Sequence, residues 1–340
     1  MEIRSLGTCG LKVSALSLGA MTFGESQTFM KGVTSTDEEA KRVFDHAIDQ
    51  GINLVDTANM YGDGASEVLT GQWIKGKRDR VLLATKCRFP MNMGQKKPGP
   101  HGMGLSRKHI LEACEGSLRR LGTDTIDLYQ MHMQDTDVPI DETIRALDDL
   151  VTQGKIRYFG CSNYTGYRLT ESLWSADKHH TRRYESVQLQ WSLATRGAER
   201  EMVPACRAFG LGVMVWGPLA SGFLSGKYTR NTPPPAGSRL DAWKDTLRNR
   251  SSEKMWGILD SIGAVAERHR ATSAAVSIAW LLARPETSTV ILGARTIEQL
   301  DDNLKALDVK LSPDDMKELD LASKPEWDYP YDFIERLQEW

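Results

Sequence analysis

Short runs of aliphatic and β-branched residues alternate along the chain with stretches whose apolar residues recur every three or four positions. The first cycle is explicit. LSLGAMTFG, starting at Leu16, is followed from Thr36 by a helical pattern in which Thr36 is placed to cap and Glu39 stands three residues on, as a capping box requires. Ala40, Val43, Phe44, Ala47 and Ile48 then share one helical face, and Gly51 stops the helix. The same succession runs through INLVDTA and SEVLTGQWIKG, VLLATK and SRKHILEACEGSLRRLG, and IDLYQMH and DETIRALDDLVTQG. It continues with IRYFGCSN and YTGYRLTESLWSADKHH, with SVQLQ and a helix into VPACRAFG, with GVMVWGP, and with STVILGA and IEQLDDNLKAL.

Strands separated by helices pair in parallel, because a parallel neighbour needs a crossover and the helix supplies it. About eight such cycles predict a single α/β domain over residues 1–340, a closed (β/α)8 TIM barrel. The rival, an open doubly wound sheet, calls for a G-x-G-x-x-G turn after its first strand, and LGAMTFG does not provide one. EIRSLGTCGLKVSAL reads as an N-terminal β-hairpin that closes the barrel floor. Two Gly- and Pro-rich insertions, MNMGQKKPGPHGMGLS and KYTRNTPPPAGSRLDAWKDTLRNR, follow the third and seventh strands as surface loops on the face where strands end. The aromatic tail KPEWDYPYDFIERLQEW is placed to fold across the barrel mouth or to serve a homo-oligomer contact.

Composition narrows the partners. With 43 basic and 45 acidic residues the net charge is −2, which gives no electrostatic reason to expect nucleic acid or an anionic membrane. No apolar run has the length of a signal or of a bilayer span, so a cytoplasmic protein with a small-molecule partner is expected. Five scattered cysteines without a C-x-x-C pair read as reduced structural thiols.

Polar residues interrupt the strands at their C-terminal ends. Asp56 ends the second strand with Tyr61 in the loop behind it, Lys86 ends the third and His132 the fourth. Taken singly each has an ordinary explanation: a cap, loop packing, a lysine reaching for water, a satisfied core histidine. Jointly they form a chemical set, because neighbouring barrel strands lie only about 5 Å apart. A tyrosine acting as a general acid near neutrality is expected to have its pKa pulled down by about 2 to 3 units from its usual 10. Lys86 is the ammonium that does so, Asp56 holds Lys86 charged and oriented, and His132 orients a carbonyl beside the phenol. The set describes proton delivery to a carbonyl oxygen while a hydride reaches its carbon. A metal site would need more histidines and carboxylates than His132 and Asp56.

VDTANMYGDGASE, LLATK, LYQMH, VQLQWSL and ILGARTIEQLDDN closely resemble the aldo-keto reductases, TIM-barrel carbonyl reductases that use nicotinamide cofactors, over nearly the whole chain. The resemblance implies that Tyr61 is the proton donor and that Asp56, Lys86 and His132 complete a catalytic tetrad. It implies an extended NADPH/NADP+ cofactor, in preference to NADH. Ser162, Asn163 and Gln188 would then fix the nicotinamide carboxamide, and Trp216 would stack on its ring. Gly217, Pro218, Leu219, Ser221 and Gly222 would approach the pyrophosphate with Lys227 in reach.

Near the end of the chain, Gly293 and Gln299 stand where many members have a Lys and an Arg. Arg295 is the cation left for a 2′-phosphate, with Gln299 and Asn303 to bond phosphate and adenine. Phe23, Met60, Arg88, Trp191 and Tyr228 are candidate walls of a pocket for a carbonyl or alcohol substrate. The implied activity is reversible, NADP-dependent reduction of an aldehyde or ketone to an alcohol. The alternative is a reductase-like, NADP-binding sensor or auxiliary subunit with little turnover, as in the potassium-channel β-subunits.

Overall fold

The structure is a computed structural model and describes residues 1–24, 30–91, 98–243, 245–246 and 252–337. Parts of both inserted loops, residues 92–97 of the first and residue 244 and residues 247–250 of the second, lie outside the described residues, as do the last three residues of the tail.

Strands β1 (Ile3–Ser5) and β2 (Lys12–Ser14) form the antiparallel hairpin, with Arg4 opposite Val13. Eight parallel strands then close into the expected barrel: β3 (Leu16–Gly19), β4 (Leu54–Asp56), β5 (Leu82–Cys87), β6 (Ile126–Met131), β7 (Ile156–Ser162), β8 (Ser186–Gln190), β9 (Gly212–Trp216) and β10 (Thr287–Leu292). β10 pairs with both β9 and β3, so the ring has no free edge.

The period of two along each strand decides what faces the barrel interior. Leu54, Ala84, Leu128, Met214 and Ile291 point inward near the floor, where Leu6, Leu11 and Val13 of the hairpin segment seal them from water. Each of the larger side chains in this set, the leucines, valine, isoleucine and methionine, contributes roughly 1.5 to 3 kcal/mol. Two residues further along the same inward faces come Asp56 after Leu54, Lys86 after Ala84 and Gln130 after Leu128. Leu16, Leu18, Val55, Leu83, Tyr129, Phe159, Val187 and Val213, pointing the other way, pack under the surrounding helices.

The helices follow their sequence signals. Asp37–Asp49 begins with the Thr36/Glu39 capping box and buries Ala40, Val43, Phe44, Ala47 and Ile48. Helix Ala65–Trp73 packs on helix Arg107–Leu121 so closely that a Cβ on Gly71 would stand 2.3 Å from the Leu121 carbonyl oxygen. Between β9 and β10 the described residues include two long helices, Glu253–His269 and Ser273–Leu282, which the strand rhythm does not anticipate. The second insertion is not wholly a surface loop. Tyr228 and Leu240 are buried, and Ser238 caps a helical turn, Arg239–Ala242.

The tail settles on the rim at the mouth side. The Tyr331 hydroxyl donates to Glu201 in the segment after β8, the Arg200 guanidinium lies 5.0 Å from the Tyr331 ring, and Lys254 pairs with Glu326 at 3.1 Å. Among the described residues no helix is long and apolar enough to cross a membrane.

Candidate active site

The chain leaving β4 stays zipped to β5, with Thr57 N–H donating to the Ala84 carbonyl at 2.9 Å and Asn59 N–H to the Lys86 carbonyl at 3.1 Å. It then turns over Lys86 through Tyr61–Gly64, where Gly62 (φ 54°), Asp63 (φ 53°) and Gly64 (φ 95°) are all left-handed. Glycine suits two of these positions because it has no Cβ to clash. At Gly64 there is also no room, since a Cβ would meet Arg120 Cδ at 2.8 Å. Arg120 is itself fixed, its Nε 2.6 Å from the fully buried Glu67, whose other oxygen accepts from Thr85 Oγ1 at 2.6 Å.

This turn sets the phenol over the ammonium. Lys86 Nζ donates to Asp56 Oδ2 at 2.6 Å, to the Thr57 carbonyl at 2.9 Å and to Tyr61 Oη at 3.2 Å. The three donor hydrogens of the ammonium therefore each have an acceptor. The Tyr61 ring stands edge-on to His132, centroids 5.7 Å apart, and Phe89 closes on His132 at 5.0 Å. His132 follows β6 directly and is anchored by its own amide to the Cys87 carbonyl at 2.9 Å and through its carbonyl to Asn163 Nδ2 at 2.8 Å. Asp56, Tyr61, Lys86 and His132 are thus brought together.

Burial alone presses the Lys86 ammonium toward the neutral form, but the Asp56 carboxylate, helped by Tyr61, carries its pKa above the ordinary lysine value. For Tyr61 the expected direction is corrected. Burial raises the phenol above its usual pKa and Asp56 adds to the rise, outweighing the downward pull of the Lys86 charge and hydrogen bond. Lys86 acts on the phenol in the expected sense without winning, so Tyr61 keeps its proton across the neutral range. Burial, with the charges of Lys86 and Arg88, holds His132 well below the ordinary histidine range, so the imidazole is neutral near pH 7. Its Nδ1 is buried with no partner among the described residues.

Gln130 does not belong to the sequence-derived set. Its Nε2 donates to Asp56 Oδ1 at 2.9 Å, Gln188 Nε2 donates to the same oxygen at 2.9 Å, and to Gln130 Oε1 at 3.1 Å. Gln188 is therefore joined in this structure to the acid side of the site. The signal for Gln130 was present: in IDLYQMH it is two residues before His132, on the same strand face.

The other candidates divide. Ser162 Oγ donates to the Gln188 carbonyl at 3.0 Å, and Asn163 (φ 54°) reaches Ser162 Oγ at 3.1 Å. Trp216 ends β9 with its indole N–H buried and without a partner among the described residues. Beyond it Gly217, Ser221 and Gly222 have positive φ. Ala220 and Gly222 use their amides within the loop, on Gly217 and Leu219. A Cβ on Gly222 would lie 3.4 Å from Lys227 Nζ, whereas one on Gly293 would meet nothing within 4 Å.

At the far end the Arg295 amide donates to Gln299 Oε1 at 2.9 Å, while Arg295 Nη2 donates to the Gly237 carbonyl at 2.9 Å and ties the second insertion to the loop after β10. Asn303 is buried one helical turn beyond Gln299. Sequence reasoning missed Arg239. Burial depresses its pKa first and the nearby Arg295 charge second, and Lys227 is lowered by burial and then by Arg295 and Arg239. Lys227, Arg239 and Arg295 therefore crowd together, without a carboxylate at ion-pair distance among the described residues.

Of the pocket walls, Met60 and Arg88 adjoin Tyr61 and His132. Phe23 does not line the mouth: it is fully buried, edge-on to Trp73 at 5.2 Å. Trp191 is likewise built into the scaffold, its Nε1 donating to Glu199 at 2.8 Å and its ring against Trp280 at 5.9 Å. Tyr228 stacks on Phe223 with Lys227 Nζ 5.3 Å from its ring, which puts it on the side of the three cations.

Residues 15–324 match the model of the aldo/keto reductase family. The chain belongs to the aldo/keto reductase family. It is 37% identical to the uncharacterized oxidoreductase YrpG of Bacillus subtilis (strain 168), over 94% of this chain and 95% of the relative. Identity is 34% with the versiconal hemiacetal acetate reductase of Aspergillus parasiticus, covering 97% of this chain and 99% of that one. It is 33% with a protein of Arabidopsis thaliana named as a probable voltage-gated potassium channel subunit beta, covering 91% and 92%. Family and relatives together mark the chain as an oxidoreductase of a family that binds nicotinamide cofactors and acts on small molecules.

Proposed function

We propose that the protein is an NADPH-dependent reductase of aldehydes or ketones, reversible as an alcohol dehydrogenase, with Tyr61 as proton donor. The observation that carries this reading is the fully buried Lys86 ammonium, held 2.6 Å from Asp56 and 3.2 Å from the Tyr61 oxygen. An isolated charge there would be costly to bury, so the site is arranged to keep a cation next to a phenol.

The residues present fit the cofactor. The amides of Leu219 and Ser221 have no partner among the described residues, Ser221 is left-handed, and the orphaned indole N–H of Trp216 lies at the same strand end. Backbone amides presented in this way suit a phosphate. Lys227, Arg239 and Arg295, crowded without a carboxylate partner, suit the additional 2′-phosphate of NADPH and give no comparable advantage to NADH. Reduced nicotinamide, held along these residues, would supply the hydride for the carbonyl carbon.

The protein's own residues do the rest. The neutral His132 presents the ring nitrogen that keeps solvent access to the carbonyl oxygen and positions it beside Tyr61 Oη. Tyr61, protonated at neutral pH, gives its proton to that oxygen as negative charge develops there. The phenolate left behind faces Lys86, whose charge offsets it, and Asp56 holds Lys86 in place through the cycle. His132 stands edge-on to the phenol and Phe89 backs His132, which limits water on that side of the proton donor.

The name of the Arabidopsis relative raises a second reading, a nicotinamide-binding auxiliary subunit with little turnover. The complete tetrad, with its buried Lys86–Asp56 pair beside the Tyr61 oxygen, favours chemistry. The purified protein, given NADPH or NADH with a panel of carbonyls, and the oxidised cofactors with the matching alcohols, is expected to consume NADPH with some carbonyls. Tight NADPH binding with no turnover of any aldehyde, ketone or alcohol would replace the first reading with the second.

A further inference from the structure

We infer that Arg88 selects the substrate: the pocket takes carbonyl compounds that carry a carboxylate, and the Arg88 guanidinium binds it. The inference rests on the carbonyl-reductase reading and names the substrate class of that same site.

Arg88 follows the last residue of β5 and so stands on the mouth face, next in the chain to Phe89 and beside the tetrad. Its guanidinium lies 5.2 Å from the Phe89 ring, Phe89 lies 5.0 Å from His132, and His132 lies 5.7 Å from Tyr61, ring centre to ring centre. The cation is thus separated from the proton donor by two aromatic rings.

Arg88 also differs from several arginines of the chain that are ion-paired. Arg78 pairs with Asp127 at 2.7 Å, Arg107 with Asp149 at 2.5 Å, Arg120 with Glu67 at 2.6 Å and Arg168 with Glu171 at 2.7 Å. Arg88 has no carboxylate at ion-pair distance among the described residues, and its Nε is buried without any acceptor. Asp56 and Asp135 are engaged elsewhere: Asp56 by Lys86, Gln130 and Gln188, and Asp135 by the Leu105 and Asp137 amides. The terminal nitrogens of this partly buried side chain keep solvent access and have no acceptor among the described residues, so a planar carboxylate offering two oxygens can pair with them.

The backbone is strained to put it there. Arg88 has φ 144°, a region an L side chain rarely occupies, and its carbonyl is pinned by the Gly104 amide at 2.8 Å. Strain of this kind persists where the surrounding structure enforces it, and it concentrates at ligand-binding positions. Glycine would satisfy the backbone better, so the arginine stands at this φ against local preference.

The test compares matched pairs: 4-formylbenzoate against 4-formylbenzamide, and 4-oxobutanoate against 4-oxobutanamide. Arg88→Gly relieves the strain while removing the cation, and Arg88→Gln keeps the bulk, so a folding defect in one does not confound the other. The native protein is expected to favour the carboxylates by roughly tenfold or more in kcat/KM, and both variants to lose that preference. In parallel, equilibrium binding of the unreducible 4-(hydroxymethyl)benzoate, followed by tryptophan fluorescence, is expected to weaken roughly tenfold or more in both variants. Equal kcat/KM within the pairs for the native protein, or an unchanged preference and unchanged binding in both variants, would overturn the role of Arg88. Absence of turnover with every carbonyl would sink the reductase reading instead, and the binding measurement would then decide for or against Arg88 alone.

Discussion

Gln130 Nε2 donates to Asp56 Oδ1 at 2.9 Å, while Lys86 holds the other oxygen of the same carboxylate at 2.6 Å. The acid is thereby fixed on both oxygens, and the ammonium it anchors cannot swing away from the phenol without breaking a buried contact. Gln130→Leu keeps the volume and removes the amide. Loss of a hydrogen bond to a charged group costs about 1.5 to 3 kcal/mol, so kcat for carbonyl reduction is expected to fall roughly tenfold or more. KM for the carbonyl should stay within about twofold, since Gln130 does not reach the mouth. A changed KM at constant kcat in steady-state kinetics would assign Gln130 to binding instead.

The pH dependence follows from two opposite shifts. Burial and the neighbouring cations keep His132 neutral well below the ordinary histidine range, and burial keeps Tyr61 protonated above the ordinary tyrosine range. Both groups therefore hold their working forms through neutrality. The reductive kcat/KM is expected to be flat from about pH 6 to about pH 8 and to fall only at alkaline pH, as the phenol loses its proton. An acid limb centred near the usual histidine pKa would show that His132 titrates freely.

Arg239 and Arg295 are expected to act on one phosphate. Arg295→Ala and Arg239→Ala should each raise the dissociation constant for NADPH roughly tenfold or more, with little change for NADH, because only NADPH carries the extra charge. Fluorescence titration with both cofactors decides. Equal effects on the two would remove the three cations from 2′-phosphate recognition.

Glu67 bears on stability and on the Tyr61 turn. It is fully buried and accepts from Thr85 and Arg120, and Arg120 in turn fills the space beside Gly64. Glu67→Ala leaves a half-buried guanidinium without its partner, and the expected loss is about 3 kcal/mol, read from the urea midpoint at unchanged slope. A shift below roughly 0.5 kcal/mol would mean that Arg120 finds another acceptor.

Much of this was legible in the sequence. The strand and helix alternation is local and periodic, and it anticipates the barrel and its floor. The Thr36/Glu39 cap and the left-handed glycines after Tyr61 are equally local signals. What escaped was direction and depth. Phe23 and Trp191 stand at positions that suggest the mouth, yet their rings turn into the scaffold against Trp73 and Trp280, which no short pattern encodes. Arg239 meets Lys227 and Arg295 only through a fold-back of the second insertion. The sign of the Tyr61 shift depends on burial set by the whole barrel, which outweighs the one charge the sequence makes visible.

The central claim is that the half-buried phenol at Tyr61 delivers the proton during nicotinamide-dependent carbonyl reduction. Tyr61→Phe removes one oxygen and nothing else, so the most direct measurement pairs NADPH affinity with kcat for a reduced carbonyl in the native protein and this variant. Affinity is expected to hold within about twofold, while kcat falls by on the order of a hundredfold or more. Undiminished kcat would remove Tyr61 from the mechanism and contradict the account at its core.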